Sequence, residues 1–122
     1  MKIAVTSTGE TLDSQVDPRF GRAGYFIIVE TETMNYQVVE NASVSAAGGA
    51  GVSAGQAVAD TGAEAVLTGN CGPNAQRTLD AAGIKLYIEV TGTVAEAVKR
   101  FKSGDLTAAD GPNVQSHFGM GK

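Results

Sequence analysis

The sequence predicts an α/β domain built on one mixed five-stranded sheet with three helices, and three observations predict it. Short β-branched and aromatic runs alternate with stretches of helical period in the order β-β-β-α-β-α-β-α. The link between the second and third strands, Glu32 to Asn35, is short enough to imply an antiparallel hairpin. The later strands are separated by helices, the pattern of right-handed parallel crossovers.

Each element has its own local signal. Lys2 to Ser7 carries the apolar run Ile3-Ala4-Val5 and reads as the first strand, followed by a polar, turn-rich loop from Thr8 to Arg22. Tyr25 to Val29 is the clearest strand by β-branched and aromatic content, and Tyr36 to Glu40 returns beside it. A small-residue loop, Asn41 to Gly51, leads into a helix over Val52 to Thr61 that Gly62 closes. Ala65 to Thr68 is a short buried strand, and Gly69 to Asn74 is a turn. A helix over Ala75 to Ala82 ends at Gly83, and Ile84 to Ile88 is the last strand. Thr93 caps a final helix in which Val94, Ala97, Val98 and Phe101 recur at helical spacing, with Glu96 at the third position and Gly104 at the end.

The crossover rule places strands one, four and five side by side and parallel, with the hairpin on the other flank. The sheet order is then 3-2-1-4-5 with strand 2 antiparallel, which is the ribonuclease-H-like topology. Residues 1–106 form the domain. Residues 107–122, rich in Gly, Asp, Asn and Ser without a sustained period, read as a flexible C-terminal tail, poorly ordered from about Asp110 unless a partner binds it.

Composition narrows the function. With 122 residues there is room for one core, and 43% apolar content is enough to fill it. Trp is absent and seven residues are aromatic, so Ala and Gly must let the elements approach closely. A net charge of −4 without a Lys/Arg cluster argues against a nucleic-acid partner. The N-terminal MKIAVTSTGE is too short an apolar stretch for a signal peptide or a membrane span, so a cytoplasmic location is the expectation; a monomer is expected as well. One cysteine and one histidine exclude an intrachain disulfide and a conventional four-thiolate metal site within the chain.

Strands one, three and four are expected to run the same way, so the loops Thr8 to Arg22, Asn41 to Gly51 and Gly69 to Asn74 meet at one sheet edge. Ligands of open α/β sheets bind at such an edge, and helix N-termini there favour anions. Gly48, Gly49 and Gly51 form either a tightly packed loop or a place where a ligand meets bare backbone. They lack both the P-loop ending and the dinucleotide spacing. Gly69, Asn70, Cys71, Gly72 and Asn74, with Pro73 suited to a first helical turn, form either a plain strand-to-helix turn or a ligand loop. Cys71 stands where a helix N-terminus favours a thiolate.

Three stretches, VDPRFGRAGYFIIVE, GGAGVSAGQAVADTGAEAVLTGNCGPNAQRTLDAAGIKLY and GTVAEAVKRFKSGDL, cover most of the chain. Together they resemble the dinitrogenase iron–molybdenum cofactor biosynthesis family, the domain shared by NifX-type carriers and the C-terminal part of NifB. The resemblance implies non-covalent carriage of an iron–sulfur or iron–molybdenum-type cluster or its precursor, with metallocluster assembly proteins as partners. It places Arg19, Phe20, Gly21 and Arg22 at the binding edge with the glycine loops, and Cys71 and His117 as the candidate metal ligands. Carriers of the family often have His-Phe-Gly where this chain has Arg19-Phe20-Gly21. Arginine does not ligate metal in the usual way, but its planar fork pairs with anions. The tail carries His117-Phe118-Gly119.

Three functions compete at this level: a non-catalytic cluster carrier, a cluster-free regulatory or protein-interaction domain, and a nuclease-like enzyme. The enzyme needs carboxylates gathered around divalent metals. The strands KIAVTS and AVLTG carry none, and Asp13 and Asp17 fit turn formation better.

Overall fold

The structure, a computed structural model, describes residues 1–41, 50–106 and 108–109. Five strands, β1 (Lys2–Ser7), β2 (Tyr25–Glu30), β3 (Tyr36–Glu40), β4 (Ala65–Leu67) and β5 (Lys85–Tyr87), alternate with helices α1 (Ala50–Asp60), α2 (Pro73–Ala81) and α3 (Val94–Lys102). The sheet order is β3-β2-β1-β4-β5. β2 runs antiparallel to β1 and β3, while β4 is parallel to β1 and β5. The expected order and directions are those observed.

The central strands carry continuous buried apolar runs, Ile3 to Val5, Phe26 to Val29 and Ala65 to Leu67, because both sheet faces are covered. Along β2, Phe26 and Ile28 face one cluster while Ile27 and Val29 face the other, the two-residue period of a strand. The first cluster joins Ala4 and Val66 to Ala54 and Val58 of α1 and Ala75 and Leu79 of α2. The second joins Ile3, Val5 and Leu67 to Val94, Ala97 and Val98 of α3. Burying each large aliphatic or aromatic side chain contributes about 1.5–3 kcal/mol, so the two layers hold the sheet from both sides. Small residues also bring the helices together: a Cβ on Gly55 of α1 would lie 2.8 Å from Thr78 Cγ2 of α2.

Several boundaries differ from expectation, each for a local reason. α1 begins at Ala50, which draws Gly51 out of the expected loop and into the first turn. A helical Gly is only about 1 kcal/mol worse than Ala, too little to stop a helix that packs well. α2 begins at Pro73, whose fixed φ and missing N–H suit a first position, so Asn74 is helical rather than part of the turn. β5 begins at Lys85 because the Ile84 amide donates to Leu79 O (2.9 Å), closing α2 around Gly83 at φ 74°. Beyond Tyr87 the Glu89 and Val90 amides donate to Gly69 O and Thr68 O (2.9 and 3.0 Å), which ends the strand. Ala108 pairs with Tyr87, and the Ala109 amide donates to Leu86 O (2.8 Å), so these two residues lie along the β5 edge. The expectation for the tail from Asp110 lies outside the described residues.

Candidate functional site

β1, β3 and β4 end on the same side of the sheet, and the described loops that follow β1 and β4 meet there. Val16 and Asp17 fold back over the end of β1: Ser7 pairs with Val16, and the Asp17 amide donates to Thr6 O (2.9 Å). The buried Thr6 hydroxyl donates to Asp17 O at 2.7 Å and lies 2.9 Å from the Thr68 hydroxyl, which ties the loop to both β1 and β4. Pro18 then crosses Gly69 so closely that a Cβ there would lie 2.7 Å from Pro18 Cα. The Asn70 amide donates to Pro18 O (2.7 Å), the Asn70 side chain donates to the same oxygen (3.2 Å), and the Phe20 amide donates to Asn70 O (3.1 Å). Arg19 and Asn70 thus form a parallel bridge that lays two of the three expected loops side by side.

The side chains of this strip divide cleanly between core and solvent. Phe20 is buried against Phe26, with ring centroids 5.5 Å apart, and anchors the strip. Arg19 points outward with 64% of its side chain exposed. The Oδ1 atom of buried Asp17 accepts from the Arg19 amide (3.0 Å) and from Arg19 Nε (3.3 Å), fixing the start of the arginine side chain. This is the turn role expected for Asp17. Gly21 lies behind Arg19, and buried Asn41 at the end of β3 donates to Gly21 O (3.2 Å) and Ala23 O (2.8 Å). Arg22 is exposed. The pinning role of Asn41 is missed by sequence reasoning, which marks it only as a loop boundary; an Asn just past a strand end, whose side-chain amide can bond the backbone of a neighbouring turn, is the available signal.

At the Gly69–Asn74 turn, Gly72 is the N-cap of α2 and supplies no side-chain cap. A Cβ on Gly72 would meet nothing within 4 Å, so the space before this helix end is open. The Arg77 guanidinium donates to Asn74 Oδ1 one turn into α2. Cys71 turns inward instead. It is 2% exposed in the α1–α2 core layer, and burial first, then the charge of Asp80, pushes its thiol up to about 12. The thiolate expected at a helix N-terminus is therefore replaced by a neutral, buried thiol, because loss of water outweighs the helix dipole.

Among the described residues, no group of three His, Cys, Asp or Glu side chains gathers in metal-binding geometry. Gly48, Gly49 and His117 lie outside the described residues. What the edge offers is an exposed guanidinium and open backbone at a helix N-terminus, the chemistry of anion recognition. None of the described helices is long and apolar enough to cross a membrane.

Known proteins resemble this chain in sequence and fold. The apo form of the orange protein from Desulfovibrio gigas is 47% identical and superimposes with a TM-score of 0.90, over 92% of this chain and 95% of that one. The NMR structure of a Thermotoga protein of the DUF35 family is 43% identical, with a TM-score of 0.77 over 88% of this chain and 91% of that one. An uncharacterised protein of Methanocaldococcus jannaschii is 31% identical over 97 residues, covering 77% of this chain and 82% of its own length. The model of the dinitrogenase iron–molybdenum cofactor family matches residues 1–104. The chain belongs to the dinitrogenase iron–molybdenum cofactor family.

Proposed function

We propose that the chain is a non-catalytic carrier for an iron–sulfur or molybdenum-containing cluster, or its precursor, in metallocluster biosynthesis. The observation that carries this reading is the Arg19–Asn70 bridge, which ties the strip bearing the exposed Arg19 side chain to the turn that opens α2. Sulfide-rich clusters are anions whose sulfurs accept hydrogen bonds, so a cluster assembled elsewhere can rest against N–H donors and a fixed positive charge. Arg19 to Arg22 form one wall of this cradle and Gly69 to Asn74 the other, with Gly48, Gly49 and Gly51 and the tail His117 as further candidate contacts. Direct ligation by Cys71 is disfavoured by its burial and high pKa.

The partners in this reading are cytoplasmic assembly proteins that supply and accept the cluster, and the protein meets them as a monomer. The connectivity is read as ribonuclease-H-like, used here as a scaffold: Asp17 is turned onto Arg19 rather than into a carboxylate cluster. Anaerobic purification, followed by metal analysis and an absorption spectrum, tests the proposal. Bound iron or molybdenum, or uptake of an offered cluster with visible absorption, is the expected result. A colourless protein that refuses the cluster would overturn it in favour of a regulatory or protein-interaction domain, the role in which Arg19 meets another protein instead.

A further inference from the structure

The β2–β3 turn and one face of α3, from its first turn to its C-terminus, enclose a cleft of about 450 Å³ lined by Met34, Ala95, Lys99, Lys102 and Ser103. Ala95, Lys99 and Lys102 recur at i, i+4 and i+7, so they form one stripe of α3, away from the Val94, Ala97 and Val98 stripe that faces the core. A second cleft, of about 420 Å³, lies along the neighbouring stripe and is lined by Thr91, Gly92, Glu96, Lys99 and Arg100. Lys99 borders both.

We propose that this face of α3 docks an acidic segment of a partner protein, whose carboxylates meet Lys99 and Lys102 while an apolar side chain seats against Met34 and Ala95. Charge is the first argument. In a chain of net charge −4 with nine Lys and Arg residues, three stand within four positions here. Neither Lys99 nor Lys102 has an ion-pair partner among the described residues, although acidic side chains stand nearby in sequence: Glu96 is committed to the Thr93 amide and Asp105 to Ser103 Oγ. Cations at the end of a helix also complement its dipole, but that effect requires no cleft beside them.

Met34 supplies the second argument. It occupies the left-handed region at φ 62° in a turn whose geometry suits Asn or Gly, and Asn35 is the next residue. A long apolar side chain in that place gives the turn a greasy wall facing two lysines. Half-buried Met is adaptable, which suits a surface that receives another protein's side chain. Because the cleft lies away from the Arg19 edge, the proposal stands independently of the cluster reading, and a docked partner would leave that edge open.

The test is an NMR titration of the isotope-labelled full chain with a synthetic amphipathic peptide of Glu, Leu and Ala, and with a counterpart in which Lys replaces Glu. Saturable shift changes centred on Met34, Ala95, Lys99 and Lys102, for the acidic peptide only, are expected. Lys99→Gln with Lys102→Gln should weaken binding about tenfold, and Ala95→Gln, which fills the cleft without changing charge, should weaken it as well. Raised salt should do the same. Equal binding of the basic peptide, shifts located elsewhere, or unchanged affinity in the variants would each overturn the proposal. So would the absence of saturable binding at about 1 mM peptide. Shifts at the cleft that depend on protein concentration alone would assign the face to a second copy of this chain instead.

Discussion

At Gly69 a Cβ would come within 2.7 Å of Pro18 Cα and 2.8 Å of its carbonyl oxygen, backbone atoms that cannot rotate away. Gly69→Ala should therefore push the Arg19 strip off the β4 turn and destabilise the protein by about 1–3 kcal/mol, the usual range for overpacking. Denaturant unfolding measures this, and an unchanged midpoint would show that the strip gives way freely. Cys71 makes a pH-dependent prediction. Its thiol is moved from an ordinary value of 9.0 to about 12 in the folded protein, so the native state holds its proton longer than the unfolded chain does. The resulting stability is fully present below the lower value and is lost as pH rises toward the higher one, by at most about 1.4 kcal/mol per pH unit. Between about pH 9 and about pH 10.5 the wild type should lose more stability than Cys71→Ala; parallel stability curves would mean the thiol is not held neutral. The Gly-Asn-Cys-Gly-Pro-Asn run is legible as a turn before a helix, because glycine and proline act locally. The inward direction of Cys71 is not, because it depends on how α2 rotates to bury Ala75 and Leu79.

Helix α3 is the element whose sequence declares it most directly. Thr93 Oγ1 accepts from the Glu96 amide at 3.1 Å, and Glu96 Oε1 accepts from the Thr93 amide at 2.9 Å, the reciprocal cap that the Thr-x-x-Glu spacing implies. Thr93→Ala should cost about 1 kcal/mol of stability in thermal or denaturant unfolding. A loss well below about 0.5 kcal/mol would mean that the loop amides of Val94 and Ala95, which donate to Ser14 O and Leu12 O (both 2.9 Å), hold the helix end by themselves. The starts of α1 and α2, at Ala50 and Pro73, each fall two residues before the expected Val52 and Ala75. Gly51 becomes helical in α1 although Gly is a poor helix former, whereas the start of α2 follows the first-position preference of Pro73, which makes Asn74 helical. Among the strands, β2 is legible by its Phe-Ile-Ile-Val run, whereas the three-residue β5 ends at hydrogen bonds to the distant Thr68–Gly69 turn that no local pattern encodes.

For the molecule as a whole, strand order and direction were legible because two constraints nearly determine them: a hairpin too short to cross over, and helices that enforce parallel returns. From that order follows the convergence of loops at one edge, and with it the position of Arg19 beside the α2 N-terminus. The polar ties that fix the edge, Thr6 to Thr68 and Asn41 to the Gly21 turn, were not legible, because each joins residues far apart in sequence. In the proposed carrier, this edge holds an anionic cluster by backbone donors and the Arg19 charge rather than by the buried thiol. The most direct measurement is an anaerobic cluster titration of wild type, Arg19→Ala and Cys71→Ala at low and high salt, with folding of each variant checked by circular dichroism. Arg19→Ala should weaken binding by about 1.5 kcal/mol, the low end for a charge-assisted contact and roughly tenfold in affinity. Cys71→Ala should change it by less, and high salt should weaken the wild type toward the Arg19 variant. Uptake abolished in folded Cys71→Ala but intact in Arg19→Ala would contradict the claim and make the thiol the ligand.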